Sequence, residues 1–147
     1  MPSVKLKSLL LVIVQFACIL YFLITPDFAS FSVFSWLLLG IAVALGIAAI
    51  SAMRISKFSV LPEPKPFAQL VRRGPYAYIR HPMYTAVLLL CLSALINVGS
   101  RIGLLVYFIL VVDLIIKIRR EENYLLIAFP GYDTYRNTTR KIIPFIW

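Results

Sequence analysis

The chain has 147 residues, 61% of them hydrophobic and only 14% charged, with a mean hydropathy of +0.90. A soluble domain of this size carries about 25% charged residues, so an ordinary soluble domain is excluded, and the length leaves no room for a large two-domain enzyme. Fifteen Lys and Arg against six Asp and Glu give a net charge of +9; they fall between long apolar runs, which points to topology and anionic phospholipid and away from nucleic acid.

The first apolar run, 6–24, follows Lys5 and Lys7. It is longer than a secretory signal core, and the residues near Ala29 make a poor cleavage site, so it reads as a retained first helix. The loop 25–32 is too short for an extracellular domain. The second run, 33–53, is long enough to span hydrocarbon. Along it Gly40, Ala44, Ala48 and Ala52 recur every four residues. Such a small-residue stripe admits a neighbouring helix, in the same chain or in a second copy as a homo-oligomer. Cys18 and Cys91 both lie in apolar runs and read as packing residues, not as a disulfide or metal pair.

The connector 54–82 carries Pro62, Pro64 and Pro66, which favour extended backbone. It ends in the block Gly74-Pro75-Tyr76-Ala77-Tyr78-Ile79-Arg80-His81-Pro82-Met83-Tyr84. Gly-Pro starts a turn, and Tyr76 and Tyr78 suit a membrane interface. Pro82, near a helix start, leaves neighbouring N–H groups, with Arg80, open to an anion or carboxylate. His81 is the single histidine of the chain, so zinc or haem ligation is not expected. A third run, 83–98, turns through Gly99-Ser100-Arg101 into a fourth, 102–116. Both are short for a bilayer and read as a packed helical hairpin. Asp113 lies inside the fourth run, where a carboxylate is costly and often functional; Lys117, four residues on, offers it a partner.

Lys5 and Lys7 precede the first run; Arg54, Lys57, Lys65, Arg72, Arg73 and Arg80 lie in the connector; Lys117, Arg119, Arg120, Arg136, Arg140 and Lys141 follow the fourth run. Only Arg101 is on the other side. The positive-inside rule then gives an all-α integral membrane protein of about four transmembrane helices (6–24, 33–53, 83–98 and 102–116). They form a single domain, 1–147, with both termini and the functional face cytoplasmic.

In the last segment, 117–147, Arg119, Arg120, Glu121 and Glu122 sit where the fourth helix leaves the membrane. Adjacent helical residues point about 100° apart, so one acid can face solvent while the other turns inward. Glu122, near the face of Leu125, Leu126 and Phe129, reads either as a partner of Arg72, Arg73 or Arg80 or as a carboxylate that receives a ribose or ammonium group. Phe129-Pro130-Gly131 ends the helix. Tyr132, Tyr135 and Arg136 follow, then a basic stretch into Ile142-Ile143-Pro144-Phe145 that suits the membrane surface.

GPYAYIRHPMY resembles the RHPxY signature of the isoprenylcysteine carboxyl methyltransferase family and its bacterial, phospholipid methyltransferase-like relatives. EENYLLIAFPGYDTYRNTTRKIIP resembles the same family's C-terminal pattern. The resemblance runs from Gly74 to the C-terminus; the first two helices agree in general topology. It implies an S-adenosylmethionine-dependent methyltransferase without a Rossmann domain. The cofactor pocket would face the cytosol, between the RHPxY block, the end of the last membrane helix and the C-terminal segment. A lipophilic acceptor would enter from the bilayer.

By motif, Arg80, His81, Pro82 and Tyr84 would line the cofactor pocket, Glu121 or Glu122 would supply its acidic contact, and Tyr132 and Tyr135 would close it. A carboxylate acceptor needs a cation to orient it, from Arg119, Arg120 or Arg80, with Lys117 competing. An amine acceptor needs a group that assists proton removal, His81 or Glu122; a thiol is the third alternative. The family's Phe-Gly appears here as Phe129-Pro130-Gly131, and the additional N-terminal helices of the eukaryotic enzymes are absent. Both departures weigh against a prenylated-protein substrate. The location that follows is a bacterial or archaeal cytoplasmic membrane. Two alternatives stand beside this reading: a membrane reductase using NADPH, and a non-catalytic scaffold or lipid-binding protein.

Overall fold

The computed structural model describes residues 2–53 and 70–143, with side chains from residue 6 onward in the first stretch. Arg54, Lys57 and Lys65, the three connector prolines, Pro144 and Phe145 lie outside the described residues, as does the side chain of Lys5. Among the described residues five α-helices follow in order: α1 (Pro2–Ile24), α2 (Val33–Met53), α3 (Pro82–Val98), α4 (Arg101–Ala128) and α5 (Tyr132–Thr138).

Local chemistry sets the turns. Asp27 accepts the Ala29 N–H at 3.0 Å and caps a single 3-10 turn, Phe28–Ser30, between α1 and α2. Between α3 and α4, Gly99 adopts φ +56°, a left-handed conformation that favours glycine. Ser100 then caps α4, its hydroxyl accepting the Gly103 N–H at 2.9 Å. At this end Asn97 of α3 donates to the Ser35 hydroxyl of α2 at 2.7 Å, pinning the start of α2 to the end of α3.

The packed face of α2 differs from the expected stripe. Ser35, Ala42, Ala49 and Ala52 are buried, whereas Gly40, Ala44 and Ala48 are exposed. At 3.6 residues per turn an i+4 series drifts by about 40° per step, while an i+7 series drifts by only about 20° and stays on one face. The close approach occurs at Gly46, where an added Cβ would sit 3.7 Å from Ala86 of α3.

Cys18 and Phe22 of α1, Cys91 and Ala94 of α3, and Leu110 and Leu114 of α4 form the main core, with Phe31 below them. Both cysteines are free and buried. The outer surface is apolar as well: Leu9, Ile13, Leu37, Ile41, Leu104 and Phe108 are exposed, a surface unlike that of a soluble monomer.

Among the described residues two helices, over Leu6–Ile24 and Val33–Met53, are long and apolar enough to cross a membrane, where four were expected. The apolar α3 has 17 residues. The helix α4 does not stop at 116 but continues to Ala128, through Lys117, Arg119, Arg120, Glu121 and Glu122. These charged residues are good helix formers, so the helix outlasts its apolar run.

Candidate active site

Gly74-Pro75 opens a 3-10 turn, Gly74–Ala77, that buries Tyr76 against the end of α2. The next residues run alongside the C-terminal segment. Ile79 and Arg140 form a parallel bridge: the Arg80 N–H donates to the Arg140 carbonyl at 2.7 Å, and the Arg140 N–H to the Tyr78 carbonyl at 3.1 Å. The His81 N–H donates to the Lys141 carbonyl at 3.0 Å, and the Thr85 hydroxyl to the Ile142 carbonyl at 2.8 Å. The Arg80 and His81 N–H groups, expected to await an anion before α3, are therefore filled by the chain's own carbonyls.

Arg80 is likewise occupied. Its Nε donates to Glu122 Oε1 at 2.8 Å, and its Nη1 to the carbonyls of Arg136 and Thr139 at 3.0 and 2.5 Å. Of the three arginines offered to Glu122, only this one reaches it. Arg72 instead bonds the Gly131 carbonyl and lies over the Tyr135 ring, and Arg73 bonds the Ala52 carbonyl. Burial alone would raise the Glu122 pKa; the approach of the His81 ring and the hydrogen bond and charge of Arg80 outweigh it and hold the carboxyl at about 2.

The His81 ring stacks on Tyr84 at a centroid distance of 5.5 Å, with 14° between planes. Its Nδ1 lies 3.6 Å from Glu121 Oε2 and its Nε2 lies 3.5 Å from Glu122 Oε1, and neither approach is a hydrogen bond. The Tyr84 hydroxyl donates to Glu121 Oε2 at 3.0 Å. Pro82 begins α3 and is buried. On α5, the Tyr135 hydroxyl donates to the Tyr76 carbonyl at 2.7 Å, and Tyr132 is 1% exposed with its hydroxyl unpartnered. Burial pushes both phenols up, Tyr135 to about 12, so both stay neutral.

A cavity of about 210 Å³ opens beside these groups. Arg80, His81, Tyr84, Lys117 and Glu121 form its polar end. Phe16 and Ile19 of α1, Met53 of α2, and Met83 and Val87 of α3 form an apolar wall.

Residues 36–127 match the Isoprenylcysteine carboxyl methyltransferase (ICMT) family. The chain belongs to this family. No curated protein and no solved structure matches the chain. Family membership supports S-adenosylmethionine-dependent methyl transfer to a lipophilic substrate at the level of the family. The match takes in most of α2, the RHPxY block, α3 and nearly all of α4; α1 and α5 lie outside it.

Within this member of the isoprenylcysteine carboxyl methyltransferase family, Arg80, His81, Pro82, Tyr84, Glu121, Glu122, Tyr132 and Tyr135 gather at one end of the helices. Arg119 is exposed, and Arg120 is half-buried with Nη1 unpartnered; neither lines the cavity. Sequence reasoning missed Gln15, Phe16 and Ile19 of α1. Gln15 carried a readable signal, as an amide placed inside an apolar run. Among the described residues no group of three metal-ligating side chains occurs. Pro82, Glu122, Tyr132 and Tyr135 stand behind the cavity and do not line it, whereas the unpartnered His81 Nε2, the Tyr84 hydroxyl and Glu121 line it and are a donor and acceptor set that fits a cofactor carrying a cation, an amino-acid end and ribose hydroxyls.

Proposed function

We propose that the protein is a membrane-embedded methyltransferase that binds S-adenosylmethionine at the RHPxY end and methylates a lipophilic acceptor entering from the bilayer. The observation that carries this reading is the cavity itself, whose polar end at His81, Tyr84 and Glu121 is continuous with the apolar wall of Phe16, Ile19, Met83 and Val87. In this reading four helices cross the bacterial or archaeal cytoplasmic membrane with both termini and the site on the cytoplasmic side. The exposed Arg119 meets anionic headgroups.

Bound S-adenosylmethionine supplies an electrophilic methyl group on a sulfonium. The chain's task is alignment and exclusion of water, because an in-line displacement moves charge from sulfur to acceptor without protein nucleophile chemistry. His81, Tyr84, Glu121 and Glu122 would hold the cofactor's polar groups, with Arg80 fixing Glu122 and Tyr132 and Tyr135 closing the far side. For an amine acceptor, His81 stands where a proton can be taken up; a carboxylate acceptor needs none removed.

Calorimetric titration of S-adenosylmethionine into lipid-embedded protein should give saturable binding in the micromolar range. Glu122→Gln and His81→Ala should weaken it by about tenfold, the scale of one charge-assisted contact, with helical content preserved. Absence of saturable binding to folded protein overturns the proposal.

A further inference from the structure

Among the described residues two cationic side chains of Lys or Arg line the cavity, and they are placed very differently. Arg80 is held by Glu122 and two carbonyls. Lys117 is 1% exposed, and its hydrogen-bond partner is the neutral Oε1 of Gln15 on α1. An ammonium has three donors; Gln15 takes one, and the face of Tyr84, 5.5 Å from Nζ, gives a weak cation–π contact. Asp113, one turn back, is 4% exposed, and neither of its carboxylate oxygens has a hydrogen-bond partner. It balances the charge of Lys117 without occupying its donors. Glu121, one turn on, receives the Tyr84 hydroxyl.

A buried ammonium with donors to spare is costly unless something satisfies them. The cavity is the space that Lys117 shares with Glu121 and His81 on one side and with Phe16, Ile19 and Val87 on the other. We infer that Lys117, held in place by Gln15, is a positioning residue that seats an anionic oxygen in the head of the acceptor, with the acceptor's chain along α1 and α3. The word acceptor rests on the methyltransferase reading above; the recognition of an anionic amphiphile does not. Gln15, Phe16 and Ile19 belong to α1, outside the family match, so head selection falls partly to residues that the match does not cover.

The test uses three amphiphiles of one chain length (dodecanoate, dodecyl phosphate and dodecanol), titrated into the full chain in neutral phosphatidylcholine nanodiscs. Wild-type protein should bind at least one anion about tenfold more tightly than dodecanol, as expected for a charge-assisted hydrogen bond. The two anions distinguish a carboxylate head from a lipid-phosphate head. Lys117→Met should abolish the preference and Lys117→Arg should restore it. Gln15→Leu, which leaves the lysine in place, should reduce it and carries the test should Lys117→Met not fold. A folded Lys117→Met, or in its absence a folded Gln15→Leu, that keeps the full preference overturns the inference, as does wild-type protein without one. Should S-adenosylmethionine fail to bind while the preference holds, the methyltransferase reading falls and this assignment stands.

Discussion

Through one guanidinium Arg80 joins three stretches of chain: Glu122 on α4, the Arg136 carbonyl on α5 and the Thr139 carbonyl beyond it. A lysine carries the same charge but not the planar fork, so it cannot reach all three. Arg80→Lys is therefore expected to lose about 2–3 kcal/mol of stability, the scale of hydrogen bonds to a charged group, measured by denaturant or thermal unfolding in detergent. The same contact makes stability depend on pH. The Glu122 pKa falls from an ordinary 4.5 to about 2 in the folded protein, so the folded state favours the carboxylate. Its contribution is present above the unfolded carboxyl's pKa and is lost as pH falls from about 4.5 toward 2. Wild-type protein should thus lose more thermal stability between pH 6 and pH 3 (about those values) than Glu122→Gln. Equal losses would show that Glu122 is not the group responsible.

At the scale of elements, the C-terminal segment after α5 acts as a strap across the start of α3. The carbonyls of Thr139, Arg140, Lys141 and Ile142 receive the Arg80 guanidinium, the Arg80 and His81 N–H groups and the Thr85 hydroxyl. Deleting 139–147 is expected to abolish S-adenosylmethionine binding and lower the melting temperature, while circular dichroism shows α1 to α4 intact. Unchanged cofactor affinity in the truncated protein would rule out the strap as part of the site. Little of this strap was legible in the sequence. One isolated bridge leaves no alternating pattern to read, and a 7-residue helix such as α5 is too short for a helical period to stand out. The α3–α4 hairpin was legible because Gly99 and Ser100 have local jobs, a left-handed turn and a cap. Of the stripe on α2 only Ala52 joins the packed face within the chain, because spacing by four looks helical in sequence yet rotates away from its neighbour over three turns. His81, Tyr84, Glu121 and Glu122 could be nominated together from two motifs. That Arg80 occupies Glu122, and that Gln15 reaches Lys117 across 102 residues of sequence, depends on tertiary placement.

For the whole molecule, the distribution of polarity decides what each end does. Asn97, Ser35, Ser32 and the Gly99–Ser100 turn close one end with small neutral hydrogen bonds. Arg72, Arg80, Glu121, Glu122, Arg136 and Arg140 collect at the other, and apolar side chains cover the outside between them. The end that carries the cations should stay in the cytoplasm, because Lys and Arg near helix ends oppose translocation. Single cysteines at Ser30 and Thr138, both exposed, sample the two ends in a Cys18→Ala/Cys91→Ala background. A membrane-impermeant maleimide applied to intact cells should label Ser30→Cys and leave Thr138→Cys unlabelled until the membrane is opened. Labelling of both positions from one side would break the proposed four-helix arrangement. It would place the RHPxY end away from the cytoplasm or leave α3 and α4 outside the bilayer, and an acceptor path along the wall of α1 and α3 would have no lipid to open into.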